Sequence, residues 1–520
     1  MDSDTTPIII GAGQVMHRWD GQDADAAPSP QGLMAEATQR ALADTGVADA
    51  VGDAVDVLTA VRIFPDSMPG DHHPFDQCVS LPHAVAARCG LSPARAIYSH
   101  VGGNVPQALV NEFADALHRG EARAVLLTGA EATAAMKTAL RGGVQLDWSD
   151  EHSGEIEARN PTEDRGWGSM LLDGYELGNG LGAPPLTYPH FEHALRHRLG
   201  RDQAAHLTAM SRLWAGFAAV AATHPQTQFD RTFDEAFLAT PSADNYPIAD
   251  PYLKWHVAQD AVNQGAALVL TTVGEAKRLG VDPVKWIYLH GTSEAADYLV
   301  TRRPDLSRSL AMEAALATAL DRAGLATGDI GHYDLYSCFP CAVSIAAEAL
   351  GLDENAQPLT VTGGLPFFGG AGNNYSMHAI ATMVERLRDD GDSYGLVLAN
   401  GGFLSKEAVG IYSARPVTGW TVHDDNPAQA QVDAQSKVER ISQSGTATIE
   451  SYTIGYKRGN AERAVVIARM GEARILASTP RDERAAAVIA ALTDTAREPM
   501  GRTVIIESDG QKNDLVGVSD

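Results

Sequence analysis

Tyr333-Asp-Leu-Tyr-Ser-Cys338-Phe-Pro-Cys341-Ala-Val-Ser-Ile-Ala-Ala-Glu-Ala-Leu350 reads as a strand, a tight loop and a helix. That order places Ser337 and Cys338 near a helix N-terminus, where the positive end of the dipole steadies an anion and lowers a thiol pKa. The same letters also admit two plainer readings. Cys338 and Cys341 suit small buried hydrophobes, and a C-x-x-C between strand and helix looks locally like a thioredoxin-type redox pair. The surroundings argue against the redox pair, because the segment lies in a long chain with an internal repeat and not in a small redox domain.

The repeat appears on working outward. Ala319-Leu-Asp-Arg-Ala-Gly324 resembles Ala41-Leu-Ala-Asp-Thr-Gly46, each closing a predicted helix with glycine at the C-cap position. A strand follows each at the same offset, Asp334-Leu-Tyr336 and Asp56-Val-Leu58. Later in each half a glycine–asparagine loop, Gly102-Gly-Asn104 or Gly372-Asn-Asn374, opens a helix leading to a strand. Apolar runs predict strands at Pro7–Ile10, Asp56–Val61, Ala96–His100, Ala124–Thr128, Ala267–Thr272, Trp286–Leu289, Tyr333–Tyr336, Leu359–Thr362, Gly395–Ala399 and Val409–Ser413. Continuous apolar runs fit strands covered on both faces, hence an α/β fold. About residues 133–260 form an aromatic-rich insertion of the kind that faces a substrate. Residues 417–440 read as a polar linker, and 441–520 as a small β-rich domain with a helix near Arg484–Leu492.

Composition narrows the classes. A net charge of −26 repels phosphate backbones and anionic lipid, so neither nucleic acid nor membrane is an expected partner. Cys78, Cys89, Cys338 and Cys341 make no disulfide framework in a chain this long. The acidic N-terminus and short apolar runs resemble neither a signal peptide nor a membrane span, so a cytoplasmic location is expected.

Several segments are able to carry chemistry. His100-Val-Gly-Gly-Asn104 ends a strand at a helix start, where backbone amides bind a carbonyl oxygen or phosphate. Thr362-Gly-Gly-Leu-Pro-Phe-Phe-Gly-Gly-Ala-Gly-Asn-Asn-Tyr-Ser-Met-His378 suggests a backbone wrapped closely around a ligand, with Asn373 or Asn374 holding an oxyanion or capping the next helix. It matches neither a Walker A loop nor a dinucleotide fingerprint. His290, at a strand end beside glycine, is a possible general base or a structural histidine. Asp71-His-His-Pro74 lacks metal-ligand spacing and reads as surface; no metal site is expected.

Together these segments resemble the thiolase superfamily over about residues 6–415. The likeness is nearest to the sterol-carrier-protein-type thiolases and their thiolase-like protein type 1 group, whose members carry an extra C-terminal domain. It rests on Val101-Gly-Gly-Asn-Val-Pro-Gln107, Asp334-Leu-Tyr-Ser-Cys-Phe-Pro340 and Gly369-Gly-Ala-Gly-Asn-Asn-Tyr-Ser-Met-His378. The resemblance implies a duplicated five-layer αβαβα fold: a first half at 1–275 containing the insertion, a second at 276–416, then linker and β-rich domain. It also implies departures from a working thiolase. The nucleophilic CxS motif lines up with Val101-Gly102-Gly103, or one residue later, without a cysteine. His-Asp-Cys-Phe becomes Tyr336-Ser-Cys-Phe339, Gly-His-Pro becomes Gly369-Gly-Ala371, and Cys-x-Gly becomes Asn400-Gly-Gly402.

By resemblance the chain is an acyltransferase making or breaking a C–C bond beside a 3-keto group, in Claisen or retro-Claisen fashion. Its ligand is a CoA thioester or a 3-keto acid; coenzyme A is co-substrate, no cofactor is bound, and a homodimer is the default. Cys338 serves as acid/base or replacement nucleophile, with Tyr336 and His290 handling protons. Val101, Gly102, Gly103, Asn104, Asn373 and Asn374 supply oxyanion donors, and Gly370, His378 and Asn400 complete the binding set. A catalytically inactive acyl-CoA-binding or scaffold protein is the alternative.

Overall fold

In a computed structural model, which describes residues 3–70, 72–169, 172–417 and 419–519, both halves contribute to one ten-stranded sheet. Its strands are β1 (Pro7–Met16), β2 (Val57–Ala60), β3 (Arg95–Tyr98), β4 (Ala124–Ala132), β5 (Glu163–Asp164), β6 (Asn263–Thr272), β7 (Ile287–Ala296), β8 (Ile330–Leu335), β9 (Tyr394–Gly401) and β10 (Lys406–Ser413). They lie in the order β8-β9-β10-β7-β1-β6-β4-β2-β3-β5. Each half has the same pattern. The β1/β6 and β6/β4 pairs are antiparallel and β4/β2 parallel; β7/β10 and β10/β9 are antiparallel and β9/β8 parallel. The halves join where Ile8 and Ile9 pair with Tyr288 and Ile287.

The repeat extends to irregularities. The β1 register slips between Ile9 and Gly11, and the β7 register between Leu289 and Gly291. At both glycines a helix carbonyl comes so near that an added Cβ would stand 2.2 Å from Ala41 O and 2.1 Å from Ala319 O. Those carbonyls belong to α1 (Pro30–Asp44) and its counterpart in the second half. Among the further helices are α2 (Val105–His118), α3 (Pro184–Arg198), α4 (Gln203–Ala221), α5 (Leu310–Ala323), α6 (Pro340–Ala349) and α7 (Tyr375–Asp389). Apolar faces of α2 and α7 share one core with strand residues from both halves, including Leu127, Leu268, Ile287 and Val397. They form the middle layer, with α1 outside the first half and α5 and α6 outside the second. This is the five-layer duplicated fold.

One predicted strand does not form. Leu359–Thr362 is irregular, although its place beside β8 mirrors β3 beside β2. The buried Asp334 carboxylate explains this: it accepts from Val361 N at 3.0 Å and Thr362 N at 3.2 Å, and from the hydroxyls of Thr360 and Thr362. A buried carboxyl acceptor takes the amide bonds that would define a strand.

After Ser413, residues expected to be a free linker include helix α8 (Pro427–Asp433), whose Ala428 and Val432 are buried in the main core. Five strands then follow: β11 (Gly445–Lys457), β12 (Asn460–Met470), β13 (Ala473–Ser478), β14 (Thr503–Ser508) and β15 (Asn513–Ser519), with α9 (Arg484–Thr493) between the third and fourth. Their order is β11-β12-β13-β15-β14, and pairing of β11 with both β12 and β14 closes a barrel arranged like an OB fold. Val465, Ile467 and Leu476 of its wall pack into the same core as Tyr188 and Phe191 of α3.

The homodimer expectation meets a covered edge. In the resemblance the N-terminal-half sheet edge, here β3, is the association surface. It is paired instead by β5, with Ile97 opposite Glu163 and Tyr98 opposite Asp164, and flanked by the Arg95–Glu163 and Arg62–Asp164 ion pairs. A paired, charged edge does not recruit another strand. The full chain is expected to elute with a light-scattering mass of 55.1 kDa. A particle of twice that mass across the micromolar range counts against this reading.

Candidate functional site

Three distant segments meet at the start of α2. Gly102 N donates to Asn373 Oδ1 at 3.0 Å, and Asn373 Nδ2 donates to Arg62 O and Ser67 Oγ. Gly103 faces the second half so closely that an added Cβ would stand 2.1 Å from the Tyr336 hydroxyl and 2.6 Å from Asn400 O. Asn400 Nδ2 in turn reaches Tyr188 OH at 3.0 Å and Cys338 Sγ at 3.7 Å. Gly102, Gly103, Asn104, Asn373, Tyr336, Cys338 and Asn400 are thus brought together.

The chemistry of Cys338 differs from the expectation. Burial pushes its thiol up to about 12; the neighbouring Tyr188 hydroxyl opposes this, and the Glu407 charge adds to it. The helix dipole does not rescue a thiolate, because the start of α6 is already occupied. Cys341 N donates to Glu192 Oε2 at 2.8 Å, and Glu192 also binds His206 at 2.7 Å and Tyr252 at 2.7 Å. Burial works against ionisation of Glu192, yet His206, Tyr252 and the amide outweigh it and hold the carboxyl below its usual range. A fixed anion at the helix start opposes a second one nearby. Cys338 is therefore a thiol at neutral pH.

A cleft of about 460 Å³ opens beside this group, lined by Val101, Asn104, Glu294, Lys406 and Glu407, among others. Cys338 and Tyr336 do not line it and keep 8% and 6% exposure. Glu407, which sequence reading missed, is 1% exposed with neither carboxyl oxygen hydrogen-bonded. Its one signal in the sequence is a glutamate inside the otherwise apolar Ala408-Val-Gly-Ile-Tyr412 strand context. Tyr188, stacked on Phe339 at 4.1 Å, comes from the insertion and was equally unmarked.

Other predicted residues lie elsewhere. His290 sits at the β7 bulge, with Nε2 3.0 Å from Arg415 O, about five residues or ~17 Å along the strand from the Ala295–Glu407 pair. It is the counterpart of Ile10, a packing position, and burial depresses its pKa to about 4. His378 is wholly buried on α7, bound to Gln14 Oε1 at 2.8 Å and packed against Phe368. Gly370 donates its amide to Gln259 O at 2.8 Å. Asn374 turns toward β4, its Nδ2 2.7 Å from Gly129 O.

The glycine-rich loop wraps protein, not ligand. An added Cβ at Gly369 would meet Gln264 Oε1 at 2.4 Å, and one at Gly372 would meet Glu131 Oε1 at 2.2 Å. In the Asp71–Pro74 segment, Asp71 lies outside the described residues. His73 is buried against Asp66 at 2.6 Å and is not a surface group.

Comparison with known proteins agrees with the fold. The family model for the thiolase-like protein type 1 additional C-terminal domain matches residues 427–511. No curated protein matches the chain. A monomeric SCP2-thiolase-like protein type 1 from Mycobacterium smegmatis is similar at 34% identity and a TM-score of 0.82, over 99% of this chain and 100% of that one. The Ltp2–ChsH2(DUF35) aldolase shares the fold at 20% identity and 0.56, over 79% and 98%. The human mitochondrial 3-ketoacyl-CoA thiolase in complex with CoA does so at 16% and 0.54, over 79% and 99%. With one relative above 30% identity along nearly the whole length, barrel included, the chain belongs to the SCP2-thiolase-like proteins of type 1.

Proposed function

We propose that the protein is a thiolase-type enzyme that makes or breaks the C2–C3 bond of a CoA thioester by proton transfer, without an acyl-enzyme. The observation that carries this reading is the Cys338 sulfur, buried beside Tyr336 and 3.7 Å from Asn400 Nδ2, next to a CxS-aligned turn that holds no cysteine. A thiol of that kind is a poor nucleophile and a suitable proton donor. Amides of the Gly103–Asn104 turn, at the start of α2, would steady the thioester oxygen as it gains charge.

On a 3-keto thioester, attack would fall to the thiol of CoA itself. Its sulfur bonds to C3, the C2–C3 bond breaks, and the electron pair passes to C2. C2 takes the Cys338 proton, and the proton shed by CoA returns to Cys338.

Purified protein incubated with a panel of acyl-CoAs tests this, and Cys338→Ala is expected to slow turnover at least tenfold. Turnover within threefold of the parent ends the role of Cys338. Tight acyl-CoA binding with no turnover by the parent favours the second reading, an acyl-CoA-binding protein, which the missing nucleophile also fits.

A further inference from the structure

Three strands of the barrel bring positive charge to one point. Arg463 on β12 donates through Nη2 to Ser478 Oγ at 2.9 Å, and Lys512, just before β15, donates through Nζ to the same oxygen at 2.9 Å. Ser478 is fully buried at the end of β13, with Val465 and Asp514 as its partners in the two strand pairs. Arg463 and Lys512 are half-buried beside it. Arg481, three residues further on, is exposed and near enough for its charge to act on both.

This grouping runs against the chain's own balance. Acids outnumber bases by sixty-six to forty, and buried arginines elsewhere meet carboxylates, as Arg196 meets Glu498 and Arg474 meets Glu450. Here, among the described residues, no carboxylate pairs with Arg463 or Arg481. The acid whose charge reaches the cluster is Asp514, 3.6 Å from Lys512 Nζ; Asp482, next to Arg481, is taken by Arg484. Burial and the Arg481 charge hold Arg463 below the usual guanidinium value. Burial likewise lowers Lys512; Asp514 opposes this, and Arg463 and Arg481 add to it. Like charges held together in this way destabilise a fold unless an anion comes between them.

Hydrogen-bond valence sets the chemistry of that anion. A serine oxygen accepts two bonds, so Ser478 is saturated and cannot serve Arg481. Arg463 is bonded through Nη2 alone, and Arg481 has no bond to protein among the described residues. Donors left over on three cationic side chains around one hydroxyl suit a ligand with several acceptor oxygens and more than one negative charge. We propose that Arg463, Arg481 and Lys512 form a phosphate-binding site on the C-terminal barrel, which takes the phosphate of a small molecule. The site uses none of the residues of the Cys338 cleft and does not rest on the CoA-thioester reading.

A nucleic acid also carries phosphates, but single strands are held by stacking their bases on aromatic rings. The barrel's aromatic residues are Tyr452, fully buried, and Tyr456, half-buried. A net charge of −26 further opposes a long polyanion.

The cluster sits where the body meets the barrel. A Cβ added at Gly180 of the body would stand 3.0 Å from Val465 Cγ1 and 3.1 Å from Ser478 Cβ. Asn179 beside it accepts from Asn513 N at 2.7 Å and donates to Gln511 O at 3.1 Å, gripping the residues on both sides of Lys512. A phosphate that neutralises the cluster therefore holds the barrel to the body.

Full-length protein is titrated with sodium phosphate, 3′,5′-ADP and CoA, against sodium chloride at equal ionic strength and against adenosine, following melting temperature and calorimetric affinity. Phosphate and 3′,5′-ADP are expected to raise the melting temperature, and chloride and adenosine to leave it unchanged. Arg481→Ala should weaken 3′,5′-ADP binding about tenfold, the weight of one charge-assisted hydrogen bond. Without ligand this variant should melt no lower than the parent, because it loses a repulsion and no bond. Phosphate and chloride acting alike on the parent overturns the proposal, and so does equal 3′,5′-ADP affinity in parent and variant. Binding of an oligothymidylate in preference to every small phosphate overturns it in favour of a nucleic-acid surface. CoA separates the two sources of phosphate, and either result supports the site. CoA affinity that falls in Arg481→Ala assigns the site to CoA's own phosphates; CoA affinity that holds while that for 3′,5′-ADP falls assigns it to a separate ligand.

Discussion

Gly103→Cys, which puts a thiol into the turn that lines up with the thiolase CxS motif, is expected to give no acyl-enzyme and to cut any turnover at least a hundredfold. The reason is occupancy. The Cβ of the new residue would stand 2.1 Å from the Tyr336 hydroxyl and 2.6 Å from Asn400 O, both far inside contact distance. Tyr336 cannot swing aside cheaply, since its ring is buried edge-on against Tyr375 at 5.5 Å and 89°. Asn400 O belongs to strand β9 and moves only with the sheet. Overpacking of this kind costs about 1–3 kcal/mol, and the same shift would displace Cys338 and Asn400. Gly102, the cysteine position in the later of the two registers, fares no better: it has φ +149°, and a Cβ there would meet Asn104 Oδ1 at 2.4 Å. Intact mass after incubation with a 3-ketoacyl-CoA, read beside the melting temperature, decides the matter. An acyl adduct on the introduced thiol, with stability near that of the parent, would show that the turn is open and that a thiol there is enough for ordinary thiolase chemistry.

What could be read in the sequence was what is local or repeated. The Ala41–Gly46 and Ala319–Gly324 helix ends and the strands that follow them identified the duplication, because each is a short stretch with its own composition. The loop at Cys338 and the turn at Gly102 were legible as helix starts. What escaped reading depends on partners far away in the chain. Whether five glycines wrap a ligand or a neighbouring side chain is decided by Gln264 and Glu131, which lie in other strands. His290 looked like a strand-end base, yet it is a bulge residue, and the bulge is defined only by its pairing with β10. Leu359–Thr362 has strand composition, but Asp334 claims its amides. Glu407 was hidden in plain sight: a lone glutamate before an apolar strand gives no local sign that both its oxygens end up buried and unpaired.

The barrel is expected to act on the site through Arg474, and Arg474→Ala should loosen both. Arg474 on β13 is fully buried. It binds Glu450 through Nε and Nη2, and donates through Nη1 to Thr301 O at 3.1 Å and Arg303 O at 2.6 Å. The last two bonds cross from the barrel to the body. The Arg303 side chain continues the path: its Nη2 donates to Phe403 O at 2.8 Å and Ser405 Oγ at 3.1 Å, within the turn that joins Asn400 to Glu407. Removing the guanidinium leaves two buried carbonyls without donors and Glu450 with only Arg469 as counter-ion. Breaking one side of a buried pair typically costs about 3–5 kcal/mol. Two readouts follow. Limited proteolysis should cut in the 417–440 segment at a rate at least tenfold above the parent's. Acyl-CoA turnover should fall even where α8, held by Gln429 to Ala296, keeps the barrel tethered. An Arg474→Ala protein that resists protease and turns over normally would mean that the barrel is an appendage, and that the β9–β10 turn holds its shape unaided.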